Sequence, residues 1–330
     1  MDEVASNAEP KSIATSLEVE QLDKNLFRSK TLWLPKNARG VFGGQVAQVG
    51  RGQVISQAVV SATNCVDPEY HLHSLHSYFI LSATPSIPVL YYVERLRDGR
   101  SYATRSVKAF QNGKLVFTMT CSFQKDEPGQ PIHQRAMPPG VPSPDACKLV
   151  EDVLEERLAD PRIPEYIKPW IKENAIERRM SPVAVKDTPI FRSQDGILNQ
   201  AFWMKAKSIP KYELPFQRCI LSYMSDLRLL GIAATELGLS RTRPWPRTLG
   251  MMSTLDHTVW FYSNDFDVGD WLLYVASIYS SVNCVAAGNG RAVVFGQAGK
   301  LVAVCTQEGV VRIAPKTPED GARKQIKSKL

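Results

Sequence analysis

The sequence predicts an α+β protein built from two copies of one unit, each a long helix followed by antiparallel strands that wrap it. Three observations carry this prediction. The segments Phe110-Gln111-Asn112-Gly113-Lys114-Leu115-Val116 and Phe295-Gly296-Gln297-Ala298-Gly299-Lys300-Leu301-Val302 each read as strand, tight glycine turn and strand, which is a β-hairpin. Their glycines Gly113 and Gly299 lie 299 − 113 = 186 residues apart. Upstream, Leu75-His76-Ser77-Tyr78-Phe79 matches Asp256-His257-Thr258-Val259-Trp260 at 257 − 76 = 181, and Val89-Leu90-Tyr91-Tyr92-Val93 matches Trp271-Leu272-Leu273-Tyr274-Val275 between them. Matches in one order at a near-constant offset mark a duplicated unit. Finally, an apolar segment of helical spacing precedes each set of strands.

Taken along the chain, residues 1–16 read as a flexible N-terminal segment and residues 17–125 as the first repeat. Its helix is expected over residues 41–62, where Val46, Val49, Val54, Ile55 and Ala58 fall mostly on one face. Residues 126–183 form the connection between repeats. Positions 127–144 are rich in proline and glycine, and a charged, helical patch follows over 150–158 and 164–177. Such a segment is expected to pack on the outside. The second repeat spans residues 184–315, with its helix over 216–237 through Ile220, Leu221, Met224, Leu227, Leu230 and Ile232. Residues 316–330 form a basic tail ending Ser328-Lys329-Leu330, the tripeptide read by the peroxisomal import receptor.

The 330 residues contain 44% hydrophobic and 22% charged side chains, enough for two cored units and unlike a disordered, collagenous or disulfide-scaffold chain. No run approaches the roughly 18 apolar residues of a spanning helix, and the acidic start Met1-Asp2-Glu3-Val4 is no secretory leader. Six scattered cysteines without a C-x-x-C pair read as small buried hydrophobes in a reducing compartment. A formal charge of +7, from 40 basic and 33 acidic residues, suits nucleic acid, an anionic membrane or a phosphate-bearing ligand. Because the charges interleave outside the tail, composition does not choose among these.

The motifs do. The strings Val41-Phe42-Gly43-Gly44-Gln45, His73-Ser74-Leu75-His76-Ser77-Tyr78-Phe79, Glu94-Arg95-Leu96-Arg97-Asp98-Gly99-Arg100-Ser101, Thr254-Leu255-Asp256-His257 and Gln307-Glu308-Gly309-Val310-Val311-Arg312 occur in this order between about Leu17 and Arg312. Together they resemble the acyl-CoA thioesterase II family. The resemblance implies a tandem (double) hotdog fold and hydrolysis of fatty acyl-CoA to a free fatty acid and coenzyme A, with no cofactor and no metal. It also implies a water held by an Asp, a Thr or Ser, and a Gln. In this sequence these fall on Asp226 (in Ser222-Tyr223-Met224-Ser225-Asp226), Thr254 and Gln307. Two positions depart from the family pattern: Arg291-Ala292 replaces an Arg-Gly pair, and Ala298-Gly299 replaces an Asp-Gly turn.

The three residue types suit this chemistry. A thioester carbonyl is already reactive, so the protein has mainly to position water and stabilise the developing oxyanion. A carboxylate on an apolar helix can take the water's proton, because partial burial raises its pKa. A Thr hydroxyl donates and accepts at once, and a Gln amide adds two donors and an acceptor. A serine-hydrolase triad on Asp256 and His257 is disfavoured, since adjacent strand residues point to opposite faces and no G-x-S-x-G elbow is present. Gly43 and Gly44, with Gln45, open the first helix. Free N–H groups there suit an oxyanion or phosphate, and close helix–sheet packing is the equal alternative. His71 and His73 are expected on one strand face and His76 on the other, in structural roles.

The duplication sets Cys121 opposite Gln307 and Gly52 near Asp226, so the first repeat lacks two of the three groups and one hydrolytic site per chain is expected. The partners expected are an acyl-CoA, the import receptor and a second copy of the chain, since sheet edges favour homo-oligomers. A net positive charge fits coenzyme A better than nucleic acid. Two other readings stand beside hydrolysis: a hotdog acyl-CoA hydratase or dehydratase, and a non-catalytic acyl-CoA-binding module.

Overall fold

A computed structural model describes residues 12–32, 51–278, 285–286 and 291–316. The first repeat contains α1 (Ile13–Leu17), β1 (Val19–Asp23), β2 (Leu26–Ser29), α2 (Arg51–Thr63), β3 (His71–Phe79), β4 (Leu90–Asp98), β5 (Tyr102–Gln111) and β6 (Lys114–Gln124). Two helices, α3 (Val150–Ala159) and α4 (Lys168–Met180), lie in the connection. The second repeat holds β7 (Val183–Arg192), β8 (Leu198–Ala206), α5 (Leu214–Ser225), α6 (Gly231–Glu236), β9 (Leu249–Phe261), β10 (Leu272–Ser277), β11 (Val285–Ala286), β12 (Arg291–Phe295) and β13 (Leu301–Ile313).

The strands join in one antiparallel sheet of order β1-β2-β4-β5-β6-β3-β9-β13-β12-β10-β8-β7, with β11 paired to β13. Counted outwards from the β3·β9 seam, the two halves match strand for strand. The predicted pairs are all found: β3 with β9, β4 with β10, and the hairpin β5–β6 with β12–β13. The hairpin glycines sit at positive φ, Gly113 at 70° and Gly299 at 78°, a conformation that glycine adopts without steric cost. An added match is the leading hairpin, β1–β2 in one half and β7–β8 in the other. The seam aligns Ser74 with Trp260 and Ser77 with His257, and the Ser77 hydroxyl donates to the His257 carbonyl at 2.8 Å.

Helices α2 and α5 pack on the inner face of the sheet. Proline in its first turn starts α5, and every residue from Gln217 to Ser225 is buried, as expected of a helix covered on all sides. The first expected helix appears as α2 over its described part; residues 41–50, with Gly43, Gly44 and Gln45, lie outside the described residues.

The second expected helix does not run unbroken over 216–237. It stops at Ser225, and a short helix resumes at Gly231. Leu227, Leu229 and Leu230 are all buried in the intervening turn, while Arg228 reaches out to Asp187 at 2.7 Å and lies over the Phe202 ring. A continuing helix would spread those three leucines around its circumference.

The N-terminal expectation also needs correction. Residues 13–16 belong to a packed helix with Ile13 and Leu17 fully buried, and the Gln57 side chain donates to the Ser16 carbonyl at 2.9 Å. Residues 1–11 and the tail from residue 317, including Ser328, Lys329 and Leu330, lie outside the described residues.

The connection packs outside the second half of the sheet. Met137, Val141 and Cys147 cover an outer cluster of Trp203, Leu273, Val293 and Phe295, and the Trp203 indole donates to the Pro142 carbonyl at 2.9 Å. Cys65, Cys121, Cys219 and Cys305 are buried free thiols, and Cys147 is half-buried. No described helix is long and apolar enough to cross a membrane.

Candidate active site

The structure brings Asp226, Thr254 and Gln307 together, although they come from three separate elements. Asp226 stands immediately after α5, as its C-cap residue, rather than within a helix as expected. Thr254 lies on β9 and Gln307 on the adjoining β13. All three are buried, at 5%, 1% and 2% exposure. The Thr254 hydroxyl donates to Asp226 Oδ1 at 3.3 Å, and Gln307 Nε2 donates to Asp226 Oδ1 at 2.5 Å and to Thr254 Oγ1 at 2.8 Å. Both neighbours of the Gln307 amide are oxygens, so its nitrogen must face them and its carbonyl oxygen point away. That Oε1 is buried and has no hydrogen-bond partner among the described residues.

A β-bulge makes the cluster possible. The β9·β13 register pairs Gln307 with His257 and Glu308 with Asp256, then jumps to pair Gly309 with Thr254, leaving Leu255 as an extra residue. Strict alternation counted back from inward-facing His257 would place Thr254 on the outer face; the bulge turns it inward. The β3·β6 ladder has the same irregularity at the matching place, pairing Leu72 with Phe123 and Ser74 with Ser122 around the extra residue His73. Aligning the two bulges sets Leu72 where the second repeat has Thr254. Aligning the hairpins sets Cys121 where it has Gln307. Helix α2, Arg-Gly-Gln-Val-Ile-Ser-Gln-Ala-Val-Val-Ser-Ala-Thr, carries no carboxylate. The polar triangle therefore has no counterpart among the described residues of the first repeat.

The same bulge corrects the expectation for the histidines. Inward positions are Leu72 before it and Leu75, Ser77 and Phe79 after it, while Ser74 pairs with outward-facing Ser122 and Trp260. His71, His73 and His76 therefore share the outer face, with His76 edge-on to Trp260. Asp256 and His257 do face opposite ways: Asp256 Oδ1 accepts the Glu308 N–H at 2.9 Å, while His257 is fully buried.

His257, to which the sequence reading gave no role, borders the cluster as the ladder partner of Gln307. The Ser225 hydroxyl donates to the Ser222 carbonyl at 2.9 Å, which leaves its oxygen to accept from His257 Nε2–H at 2.8 Å. Nδ1 therefore keeps a lone pair, and it has no partner among the described residues. Burial lowers the imidazole from 6.5 to about 3, so it is neutral at physiological pH. Unfolding lets it take up a proton over this window, so its contribution to stability is intact above about 6.5 and is lost as pH falls towards about 3. We expect His257→Gln to flatten the pH dependence of unfolding between these limits by up to about 1.4 kcal/mol per pH unit, the slope of one proton, in denaturant titrations at stepped pH.

Known proteins resemble this chain over nearly its whole length. Residues 32–124 match the model of an acyl-CoA thioesterase N-terminal domain and residues 144–311 that of an acyl-CoA thioesterase C-terminal domain. The chain is 34% identical over 317 residues to human acyl-coenzyme A thioesterase 8, covering 93% of this chain and 91% of that protein. It is 30% identical to acyl-CoA thioesterase 2 of Haemophilus influenzae, covering 90% and 96%. Among solved structures, acyl-CoA thioesterase II TesB2 from Mycobacterium marinum superimposes with a TM-score of 0.67 at 30% identity, covering 92% of this chain and 98% of that one. A hot dog fold protein from Alicyclobacillus acidocaldarius matches at 18% identity with a TM-score of 0.61, covering 93% and 100%; that likeness concerns the fold alone. The duplicated helix-on-sheet unit is thus the double hotdog.

Proposed function

The chain belongs to the acyl-CoA thioesterase family, and from that premise we propose that it hydrolyses fatty acyl-CoA thioesters at one site per chain, with the attacking water held by Asp226, Thr254 and Gln307. The observation that carries the assignment is the buried triangle with one acceptor left over. Asp226 Oδ1 receives two hydrogen bonds, and Gln307 spends both N–H groups within the cluster. Gln307 Oε1 thus remains to accept one hydrogen of a water, while the Asp226 carboxylate takes the other as proton.

The water oxygen then bonds to the thioester carbon and its proton passes to Asp226. The tetrahedral adduct collapses with cleavage of the C–S bond, and the coenzyme A sulfur leaves with that electron pair and takes the proton from Asp226, which returns to its carboxylate. The carboxylic acid is the second product. Gly43, Gly44 and Gln45 are the proposed contacts for substrate.

Thiol release from acyl-CoA, followed with a thiol-reactive dye alongside the acyl product, tests this reading. Gln307→Ala is expected to lower kcat by about 10²-fold, the loss typical of removing one positioning amide, and Thr254→Val by about tenfold. A hydratase or dehydratase would modify the acyl chain with the thioester intact, and a binding module would release no thiol. Absence of thiol release from short to very long acyl chains would overturn the proposal.

We further propose that residues 17–125, with α1 packed ahead of them, and 184–315 act as the two repeat units, and that the chain works as a homo-oligomer in the peroxisomal matrix. A Saccharomyces cerevisiae protein named peroxisomal acyl-coenzyme A thioester hydrolase 1 is 27% identical over 165 residues, 48% of this chain and 45% of that protein. Ser328-Lys329-Leu330 is the proposed receptor contact. Removing Leu330 from an N-terminally fluorescent fusion should release it to the cytosol. The exposed edge strand β1 supports self-association, and light scattering on the purified chain should return more than one monomer mass.

A further inference from the structure

A cavity of about 710 Å³ opens at the other end of α5 from Asp226, between the start of β3 and the end of β9. Arg218 lines it, eight residues and about 12 Å along the helix before Asp226. Its side chain is 5% exposed. All of its hydrogen-bond partners are neutral: the Leu72 carbonyl, the Asn264 side-chain oxygen and, at 3.5 Å, the Ser263 carbonyl. Among the described residues it forms no direct ion pair; the Asp126 charge acts on it across Asn264, whose amide donates to Asp126 Oδ1 at 2.7 Å, and its Nε–H is buried without a partner. Burial lowers its pKa only to about 10, so the guanidinium stays charged.

A buried cation with an unmet donor, facing a cavity, is costly unless an anion meets it. His71 and His73 line the same space, each with a buried unpartnered Nδ1, and both are held neutral by burial and by the Arg218 charge. The nearby lysines are committed elsewhere, Lys125 to Glu69 and Lys300 to Asp265.

The remaining charges select the anion. The lining carries four cations (Lys125, Arg135, Arg218, Lys300) against three carboxylates (Asp126, Glu127, Asp265), a balance of 4 − 3 = +1, so a single negative charge is neutralised there whereas a dianion or a polyphosphate exceeds it. The Phe261 ring lies 5.5 Å from the guanidinium, and Val293, Leu301 and Val304 of the outer cluster continue the apolar wall of the same cavity. We propose that this cavity is a second, non-catalytic binding site for an amphipathic monoanion, Arg218 receiving a carboxylate and the apolar wall its hydrocarbon body. The first repeat's counterpart of the polar triangle lies beside it, at Leu72. The site stands whether or not the chain hydrolyses thioesters.

The chain has five histidines, so selective isotope labelling resolves each imidazole by NMR. Titrating decanoate into the full-length protein should shift His71 and His73 saturably, and inorganic phosphate at the same concentrations should not. Arg218→Met should weaken decanoate binding by about tenfold or more, as expected for loss of a charge-assisted hydrogen bond. Leu301→Trp, which fills the apolar wall and leaves the Arg218 hydrogen bonds in place, should do the same without lowering the melting temperature, and it decides the matter if Arg218→Met does not fold. Movement of His257 alone, a response to phosphate equal to that to decanoate, or unchanged affinity in a folded variant would each overturn the proposal.

Discussion

Asp226→Ala is expected to lower kcat for thiol release from acyl-CoA by about 10²- to 10⁴-fold, the range for loss of a general base. The residual rate should not approach one half. The matching positions in the first repeat are Leu72 and Cys121, and α2 has no carboxylate, so no second cluster can sustain turnover. Melting should separate chemistry from folding. A buried carboxylate that accepts from Thr254 and Gln307 is there at some cost in stability, so the variant should melt no lower than the parent. Asp226→Asn, which keeps the shape and removes the basic oxygen, should be equally slow. Half of the parent rate in either variant would disprove the single-site reading.

Gly52→Val is expected to destabilise the protein by about 2–3 kcal/mol, as overpacking of a tight contact does. A Cβ built on Gly52 would lie 2.5 Å from the Tyr223 carbonyl oxygen and 2.9 Å from its ring. Backbone cannot step aside as a flexible side chain does, so α2 and α5 must part. Tyr223 lies three residues before Asp226, and the displacement should reach the carboxylate as well. Denaturant unfolding should show a lower midpoint, and kcat should fall more than KM rises, because the loss lies in the alignment of water rather than in substrate contact. An unchanged midpoint would mean that the two helices do not cross this closely.

Much of the fold was legible because duplication writes the same pattern twice. Neither glycine hairpin is decisive alone, but two, at a shared offset and in a shared order, point to strands β3 to β6 and to β9, β10, β12 and β13. The leading hairpins β1–β2 and β7–β8 escaped, being short or irregular, with register shifts at Gln21/Asp23 and Asp187/Ile190. The break after Ser225 escaped as well. Ile220, Leu221, Met224, Leu227 and Leu230 keep a helical period through it, and only the ion pair of Arg228 with Asp187 and the burial of Leu229 show the chain turning.

For the candidate site, the three residues came from a resemblance carried by motifs, since a Thr and a Gln on strands have no signal of their own. Two further features, one beside the site and one at the far end of α5, were invisible in one dimension. His257 faces the cluster and Asp256 does not, which alternation allows, but its hydrogen bond to Ser225 joins residues 32 positions apart. Arg218 reads as one more charge in an apolar helix until its neighbours prove to be neutral carbonyl oxygens.

By itself the sequence determined the class of fold, its duplication and the family, and through that family it nominated the three polar groups. These follow from composition, period and motif, which are properties of the chain's order. Only the tertiary structure decided which way those groups face. One extra residue, Leu255, in β9 rotates Thr254 onto the face of Gln307, and the end of α5 delivers Asp226 to both. A bulge changes no pattern that spacing can register, yet it reverses the side of the sheet on which every residue beyond it stands.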